Sequence, residues 1–311
     1  MAIWAMCLLL LQSAWGLEYT NHIYDQLGQK TDLNHLISQV NEGDVVIVGE
    51  QHGFYPHHET QSNVIQSLQN LGFRVDVGME HVPYTIQNEL SAYISGQLSQ
   101  DDFLNSLRWR PSQFATCLEY TEAKGYEDLF AVLPFDCYYH SLVLAENFGG
   151  SARAINLPRT ITGKVSSQGI HSLSLEEQKL LPPNYEWGSD SYYQRFREVI
   201  LSFGNSHGQI SEETINNMFW SQSLWDETMS WKSLEYMQQN PNGVMVIIVG
   251  NFHAAYGDGL AARFKARGAQ KVHIISQQII SGYTQDEINE MAQPDPHYGS
   301  AGDLVILTQI D

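Results

Sequence analysis

The chain of 311 residues is long enough for one large α/β domain or two smaller ones. Its content of 43% hydrophobic and 16% charged residues is typical of a globular protein and excludes a disordered chain and a polytopic membrane protein. The formal net charge of −19 repels nucleic acid, so we expect no nucleic-acid partner, and any site for an anion must be local.

The first sixteen residues predict a secretory signal peptide. Residues 1–11 read MAIWAMCLLLL, and small residues two positions apart follow at Ala14 and Gly16, which is typical of cleavage after Gly16. The apolar run is too short to span a bilayer as a helix. We therefore expect residues 17–311 to be the mature protein. We expect it to be periplasmic or secreted, with attachment to a membrane as an alternative. A buried N-terminal helix is the alternative interpretation.

Removal of that segment leaves two cysteines, Cys117 and Cys137. In an oxidising compartment they can form a disulfide, and two free buried thiols are the alternative. The sequence has no CxxC motif, so nothing in it indicates a thiolate zinc site or a redox motif.

Apolar runs that alternate with helical spacing predict an α/β fold with a mostly parallel sheet flanked by helices. Residues 44–50 (DVVIVGE) form a short continuous apolar run, which is typical of a strand buried on both faces. Residues 57–72 have helical spacing after Pro56, and residues 73–80 (FRVDVGME) predict the next strand. Together these elements predict a right-handed βαβ unit.

The remaining chain predicts a helical insertion or subdomain and further strands. Residues 81–147 and 160–240 are mostly helical in pattern, and a short strand at residues 151–158 separates them. Residues 242–251 (NGVMVIIVGN) predict the strongest strand of the chain. The other predicted elements are a helix at 259–266 and strands at 271–276 and 303–309.

Ionisable side chains follow three of the predicted strands. The sequences at those positions are Gly49-Glu50-Gln51-His52, Met79-Glu80-His81 and Gly250-Asn251-Phe252-His253. Because ligands bind beyond the carboxyl ends of parallel strands, we expect the side chains of Glu50, His52, Glu80 and His253 to converge on one edge of the sheet. His57 and His58 begin the following helix, where adjacent side chains point about 100° apart, so only one of them should face the site.

Two chemistries suit such a set. Imidazole and carboxylate groups bind Zn, Mn or Fe, and a spare glutamate can act as general base for metal-bound water, so Glu50, His52, Glu80 and His253 are candidate metal ligands and candidate catalytic residues. Alternatively, histidine and tyrosine bind haem iron within aromatic surroundings. For each residue taken alone, a structural hydrogen-bonding role is the simpler interpretation.

Five segments follow one another in a fixed order along the chain. They are GEQHGFYPHHETQ (49–61), GMEHV (78–82), AINLPRT (154–160), WSQSLWDETM (220–229) and GNFHAAYGDGL (250–260). Each segment alone is unspecific, whereas the five in this order are specific. Together they resemble the ChaN-like haem-binding uptake family of the TIKI/TraB superfamily, to which erythromycin-esterase-like proteins are distantly similar. The resemblance covers roughly residues 40–276.

The resemblance implies an α/β core with a helical subdomain and a ligand cleft. For the ChaN branch it implies haem binding linked to haem or iron uptake. For the protease branch it implies metal-dependent peptide cleavage, with the paired G-x-x-H motifs falling on residues 49–52 and 250–253 and the glutamate on Glu50 or Glu80. It also allows an outer-membrane uptake partner and a homodimer.

The resemblance further implies a tyrosine ligand to haem, for which Tyr139 is the candidate, with Tyr55 and Tyr256 as alternatives. We expect His58 to contact the cofactor as well. Arg159 can pair with a haem propionate, because a guanidinium binds carboxylates in a bidentate manner, and a structural ion pair is the alternative.

A helix face in the fourth segment also carries polar groups. Gln222, Asp226 and Met229 fall at i, i+4 and i+7, so they lie on one face of a helix. That face either points at the ligand cleft or takes part in an interhelical hydrogen-bond network.

The sequence therefore leads to a first hypothesis of a haem-binding or iron-binding uptake protein and a second of a metallohydrolase built on Glu50, His52, Glu80 and His253. A metal-independent esterase with histidine as base is a third hypothesis. Whether the protein is an enzyme stays open at this point.

Overall fold

A seven-stranded sheet forms the centre of the chain in the computed structural model, which describes residues 17–124, 133–204 and 210–310. The strand order is β1-β7-β6-β2-β5-β3-β4, and every adjacent pair is parallel except β1 with β7. The predicted α/β class and mostly parallel sheet are confirmed. The strands are β1 (Tyr19–Asp25), β2 (Val45–Glu50), β3 (Arg74–Pro83), β4 (Ala152–Asn156), β5 (Gly243–Gly250), β6 (Val272–Ile279) and β7 (Leu304–Ile310).

Thirteen α-helices lie in the described ranges and cover both faces of this sheet. They are α1 (Leu33–Ile37), α2 (Tyr55–Asn70), α3 (Gln87–Ile94), α4 (Gln100–Leu107), α5 (Cys117–Lys124), α6 (Asp136–Ala145), α7 (Arg159–Gln168), α8 (Leu175–Gln178), α9 (Asp190–Gly204), α10 (Glu212–Gln239), α11 (Asn251–Ala254), α12 (Leu260–Ala266) and α13 (Gln285–Met291).

The two central strands divide their side chains between two apolar cores, because successive residues of a strand point to opposite faces. Val46 and Val48 of β2 pack into the core that also contains side chains of α2 and α6. Val45 and Ile47 pack into the core on the other face, against α10 and α12. Every residue of β2 and of β5 is buried, which explains why the sequence shows them as continuous apolar runs.

The structure changes several predicted boundaries for physical reasons. Helix α2 begins at Tyr55 with Pro56 in its first turn, where the absent backbone N–H breaks no helical hydrogen bond. Strand β6 continues past Ser276 to Ile279, because this part of it pairs with β7, and its polar Gln277 is fully buried and donates to the carbonyl oxygen of Gly49. Strand β1 is an edge strand of mostly half-buried residues, and the sequence shows no apolar run that would predict it.

The stretches 81–147 and 160–240 are mainly helical within the described residues. The first contains α3 to α6, and residues 125–132 of it lie outside the described ranges. The second contains α7 to α10. The expected signal segment, residues 1–16, also lies outside the described ranges. In the part of the chain that is described, no helix combines the length and the apolar character needed to cross a bilayer.

Cys117 and Cys137 form a disulfide that joins the start of α5 to α6. The structure therefore decides between the two interpretations of these cysteines in favour of the bonded pair. The bond closes a loop with a sequence separation of 20 residues and lies directly before Tyr138, which is fully buried.

We expect the double variant Cys117→Ala/Cys137→Ala to lose about 3 kcal/mol of unfolding free energy, because the disulfide restricts the unfolded chain across a loop of 20 residues. Guanidinium denaturation followed by circular dichroism measures this difference. Wild-type protein treated with a reductant is the matched control and should move to the same midpoint. Equal midpoints for oxidised, reduced and substituted protein would show that the bond does not stabilise the fold.

Candidate functional site

The carboxyl ends of β2, β3 and β5 place the site residues side by side. In the register of the parallel strands, Glu50, the last residue of β2, lies opposite Gly250, the last residue of β5. Glu80 lies near the end of β3. This strand pairs with β5 on the side of β5 that is opposite β2. A side chain at position 250 would crowd the site, since an added Cβ would lie 3.0 Å from His52 Nε2. Glycine there allows the histidine to lie against the strand end.

Glu50 is the centre of a buried hydrogen-bond network. The residue is 2% exposed. Oε1 accepts from the Tyr138 hydroxyl at 2.8 Å and from His52 Nδ1 at 2.7 Å. Oε2 accepts from the Gln61 side-chain amide and lies 3.4 Å from His58 Nδ1. Burial raises the pKa of Glu50, but the neighbouring histidines and the hydrogen bond from His52 lower it more, so the group is an ionised carboxylate.

His52 connects this buried carboxylate to the surface. Its side chain is 40% exposed, and its ring lies 4.9 Å from the ring of His81. Desolvation lowers the pKa of His52, but the hydrogen bond to Glu50 and the charges of Glu80 and Glu50 raise it to about 9. His81 Nε2 lies 2.9 Å from the Tyr138 oxygen. Because the Tyr138 proton is given to Glu50, His81 is the donor in that bond.

A second group of linked side chains lies beside the first and begins at Glu80. One oxygen of this carboxylate, Oε2, accepts the backbone N–H of Gly250 at 2.6 Å, and the other, Oε1, lies 3.7 Å from His253 Nε2. Burial raises the pKa of Glu80, while the charges of His253, His52 and His81 lower it to about 2. Glu80 is therefore the second ionised carboxylate at this edge of the sheet.

His253 joins Glu80 to a deeper carboxylate, Asp226. The Nδ1 nitrogen of His253 donates to Asp226 at 2.6 Å, and the Tyr192 hydroxyl donates to the other Asp226 oxygen, also at 2.6 Å. Burial lowers the pKa of His253, but the charges of Asp226 and Glu80 raise it more. The imidazole thus lies between two carboxylates, both of which stabilise its protonated form.

Gln222 completes this second group. Its amide nitrogen lies 2.9 Å from His253 Nδ1 and 3.0 Å from the Tyr192 oxygen. Of the polar helix face noted in the sequence, Gln222 and Asp226 therefore contact His253, whereas Met229 is fully buried in the apolar core. The face takes part in an interhelical hydrogen-bond network that ends at the site.

The structure thus brings the four strand-end residues together as two pairs. Glu50 pairs with His52, and Glu80 pairs with His253. The pairs meet at Gly250, whose backbone N–H binds Glu80 and whose Cα faces His52.

One group of donor atoms at this edge has the spacing of a metal site. Among the described residues, one donor atom each from Glu50, His52 and His81 lie within 4.8 Å of one another. That set could hold a metal ion. It includes His81, whereas the set expected from the sequence has Glu80 and His253 beside Glu50 and His52.

The histidine and tyrosines expected to contact haem lie in different environments. His58 is 5% exposed, so its ring is enclosed behind Glu50 and is not presented to a surface ligand. Tyr139 is 43% exposed on α6, and it is the preceding residue, Tyr138, that contacts Glu50. Tyr55 is 36% exposed at the start of α2.

The third tyrosine considered, Tyr256, packs with its ring 5.5 Å from that of Tyr298. Its backbone has a positive φ of 66° and its N–H donates to the carbonyl oxygen of Ala301. Tyr256 is therefore held in the turn between α11 and α12.

Arg159 lies close to the site and is exposed at the start of α7. Its positive charge lowers the pKa of His52 and of His81. Within the described ranges, no hydrogen bond or ion pair is made by its guanidinium, so the alternative of a structural ion pair receives no support.

Several site residues were not found by sequence reasoning. Gln61 lies at the end of the first motif, one helical turn after His58, so its spacing offered a signal. Tyr138 and Tyr192 come from α6 and α9, and no local pattern shows which side of these helices faces the strand ends.

Comparisons with known proteins give a matching family and solved structures of similar fold. A family model described as haem-binding uptake, Tiki superfamily, ChaN, matches residues 36–264. The ChaN protein of Campylobacter jejuni, solved with cofacial haem, is similar with a TM-score of 0.60 and 14% identity, covering 93% of this chain and 96% of that chain. The erythromycin esterase EreC is similar with a TM-score of 0.49 and 10% identity, covering 93% of this chain and 97% of that chain.

No curated protein matches the sequence significantly. The likeness to the Campylobacter protein shows a shared fold, and the family match covers well over half of the chain and confirms the resemblance seen in the five motifs. The chain therefore belongs to the ChaN-type haem-binding uptake family of the Tiki superfamily.

Proposed function

We propose that this protein binds haem and serves in haem or iron uptake, with His52 as the ligand to the iron. The observation that carries the proposal is the partly exposed His52 ring, whose Nδ1 is hydrogen-bonded to the buried, ionised Glu50 at 2.7 Å. A carboxylate on one ring nitrogen fixes the tautomer and makes the other nitrogen a better ligand.

The residues around His52 fit a porphyrin. In the neutral ring Nδ1 carries the proton toward Glu50, so Nε2 offers its lone pair, and no described residue forms a hydrogen bond to it. The ring of His52 lies beside that of His81, against which the half-buried Trp109 packs edge-on at 5.4 Å and adds an apolar surface. Bound haem would supply an iron that accepts a nitrogen ligand from the protein, and His52 is the residue that would provide it.

Arg159 fits a role in orienting the ligand. Its exposed guanidinium lies near His52 and has no partner among the described residues, as noted above. Haem propionates are carboxylates, and a guanidinium binds carboxylates with two parallel hydrogen bonds. This local cation offsets the repulsion that a chain of net charge −19 exerts on an anionic ligand.

Tyr139 is the alternative iron ligand, because the residue is 43% exposed. It differs from His52 in that no described carboxylate is hydrogen-bonded to it and no contact with Glu50 is seen among the described residues. We favour His52 for that reason, and spectra of haem-loaded variants separate the two, since tyrosinate and imidazole ligands give different haem absorption bands.

A metal-dependent hydrolase is the second candidate function. In its favour, the chain Tyr192–Asp226–His253–Glu80 holds an imidazole between two carboxylates at the same edge.

The hydrogen bonds of Glu50 speak against this second function. Three hydrogen bonds, from Tyr138, His52 and Gln61, already occupy most of the acceptor positions of Glu50, so an ion at Glu50, His52 and His81 would compete with buried partners. Haem binding through His52 leaves that network intact.

The cellular setting that we propose follows from the signal-like residues 1–16 and from the family. Export to the periplasm or beyond would place the protein where it can capture haem and transfer it to an outer-membrane uptake partner. A homodimer that shares the exposed edge between two copies is compatible with this role.

We expect His52→Ala to weaken haemin binding by about tenfold or more, equal to at least about 1.4 kcal/mol, because the nitrogen that would bind the iron is lost. The Soret band during a haemin titration measures the affinity. His140→Ala, which removes an exposed histidine on α6 outside the site, should bind as wild type does. If His52→Ala binds normally and Tyr139→Phe does not, the tyrosine is the ligand. If the wild type shows no Soret shift, the haem proposal fails.

Replacing Arg159 by alanine should weaken haemin binding roughly two- to fivefold, because a solvent-exposed ion pair contributes about 0.5–1 kcal/mol. The same titration with haemin dimethyl ester, which has no free propionates, is the control. Wild type and Arg159→Ala should bind the ester equally well. A similar loss with both ligands would mean that Arg159 acts on the fold or on the iron site and does not pair with a propionate.

Haemin affinity should rise with pH between 7 and 9. His52 has a pKa of about 9 in the ligand-free protein, so below that pH a proton occupies Nε2 and must leave before this nitrogen can bind iron. Each pH unit below about 9 should therefore cost up to about tenfold in affinity. In Glu50→Gln the main cause of the raised pKa is removed, and the plateau should begin at lower pH.

His52→Ala measured over the same pH range controls for the titration of haemin itself. A wild-type profile as flat as that of His52→Ala would contradict the role of this imidazole.

A further inference from the structure

A second set of donor atoms lies on the buried side of Glu50, away from the proposed haem ligand His52. One donor atom each from His58, Cys117 and Cys137 lie within 4.8 Å of one another. All three side chains are deeply buried, with exposures of 5% for His58 and 3% for each cysteine. The cysteines are bonded to each other in the structure.

The hydrogen bonds of His58 leave one ring nitrogen free. The Gln61 amide nitrogen donates to Glu50, so the Gln61 carbonyl oxygen is the atom 3.1 Å from His58 Nδ1. A carbonyl oxygen only accepts, hence Nδ1 carries the proton and Nε2 carries a lone pair. Nε2 is buried and has no hydrogen-bond partner in the described structure.

An unpartnered buried nitrogen of this kind requires an explanation, because buried polar atoms are nearly always hydrogen-bonded. The arrangement matches that of metal-binding histidines, in which the nitrogen away from the metal donates to an oxygen that fixes the ring. Here Gln61 and Glu50 supply that support, and Nε2 is the nitrogen left for a metal.

We propose that reduction of the Cys117–Cys137 disulfide creates a buried zinc site formed by the two thiolates and His58 Nε2. Two thiolates and one neutral imidazole are established zinc donors. Their two negative charges balance Zn²⁺, so the loaded site adds no net charge beside the ionised Glu50. The carbonyl oxygen of Gly53 lies 3.7 Å from Cys117 Sγ and is the candidate for the fourth zinc ligand.

The chemistry requires an external reductant. A phosphine attacks one sulfur and the S–S bond breaks, and water then supplies the oxygen of the phosphine oxide and the two protons of the thiols. Zn²⁺ replaces those two protons when it binds, and they are released to solvent. The cysteines lie 20 residues apart in sequence and fit no short zinc motif, which explains why their spacing gave no indication of this site.

The test uses the full chain carrying Cys7→Ser, so that Cys117 and Cys137 are its only cysteines. The protein is reduced anaerobically with a phosphine, and zinc affinity and stoichiometry are measured by competition with a chromogenic chelator. Co²⁺ as a spectroscopic substitute for zinc reports thiolate ligation by its charge-transfer bands. The oxidised protein measures any zinc bound at Glu50, His52 and His81.

We expect reduced protein to bind one zinc equivalent more than oxidised protein. His58→Asn should weaken that binding by at least about tenfold, and Cys117→Ser/Cys137→Ser should abolish it together with the cobalt–thiolate bands. His140→Asn, on the surface of α6, is the matched control and should bind as the parent does.

The proposal is overturned if reduced and oxidised protein bind equal amounts of zinc, or if a folded His58→Asn variant binds zinc as the parent does. Circular dichroism shows whether each variant folds. Should His58→Asn fail to fold, the cobalt spectrum of the reduced parent decides, because a site without imidazole and thiolates would lack the bands of mixed sulfur and nitrogen ligation.

Discussion

The ionised carboxylate of Glu50 is the group on which the site depends. It is buried at the end of a central strand, and a charge in that position is tolerated only where hydrogen bonds replace water. Tyr138, His52 and Gln61 supply those bonds from a helix, a loop and a second helix. Each of these elements is therefore held in position by one acceptor, and its removal would leave three donors without a partner.

The same carboxylate is linked to the protein surface through a partly exposed histidine. The partly exposed His52 binds it through Nδ1, and the buried His58 lies 3.4 Å from its other oxygen. The neighbouring group around His253 repeats the arrangement, with Asp226 as the buried acceptor and Glu80 toward the edge. Two histidines of similar sequence context thus have buried carboxylate partners, and of these two only His52 is substantially exposed.

The parallel sheet could be predicted from the sequence because its central strands are buried on both faces. Such strands appear as continuous apolar runs, and their polar ends had to meet at one edge once the sheet was parallel. The choice between Tyr138 and Tyr139 could not be made in the same way, since adjacent helical residues differ by about 100° and the rotation of α6 is set by packing. The disulfide and strand β1 likewise depend on distances between segments that are remote in sequence.

The antiparallel strand β1 determines at which edge of the sheet the two described ends of the chain lie. Its first residue, Tyr19, pairs with Ile310 of β7, so both described ends of the chain leave the sheet at the edge that carries Glu50. Three strand spacings, about 14 Å, separate β1 from β2. A tether before Tyr19 would turn the edge that carries Glu50 toward its attachment point, and a bulky fusion at either terminus would lie beside that edge.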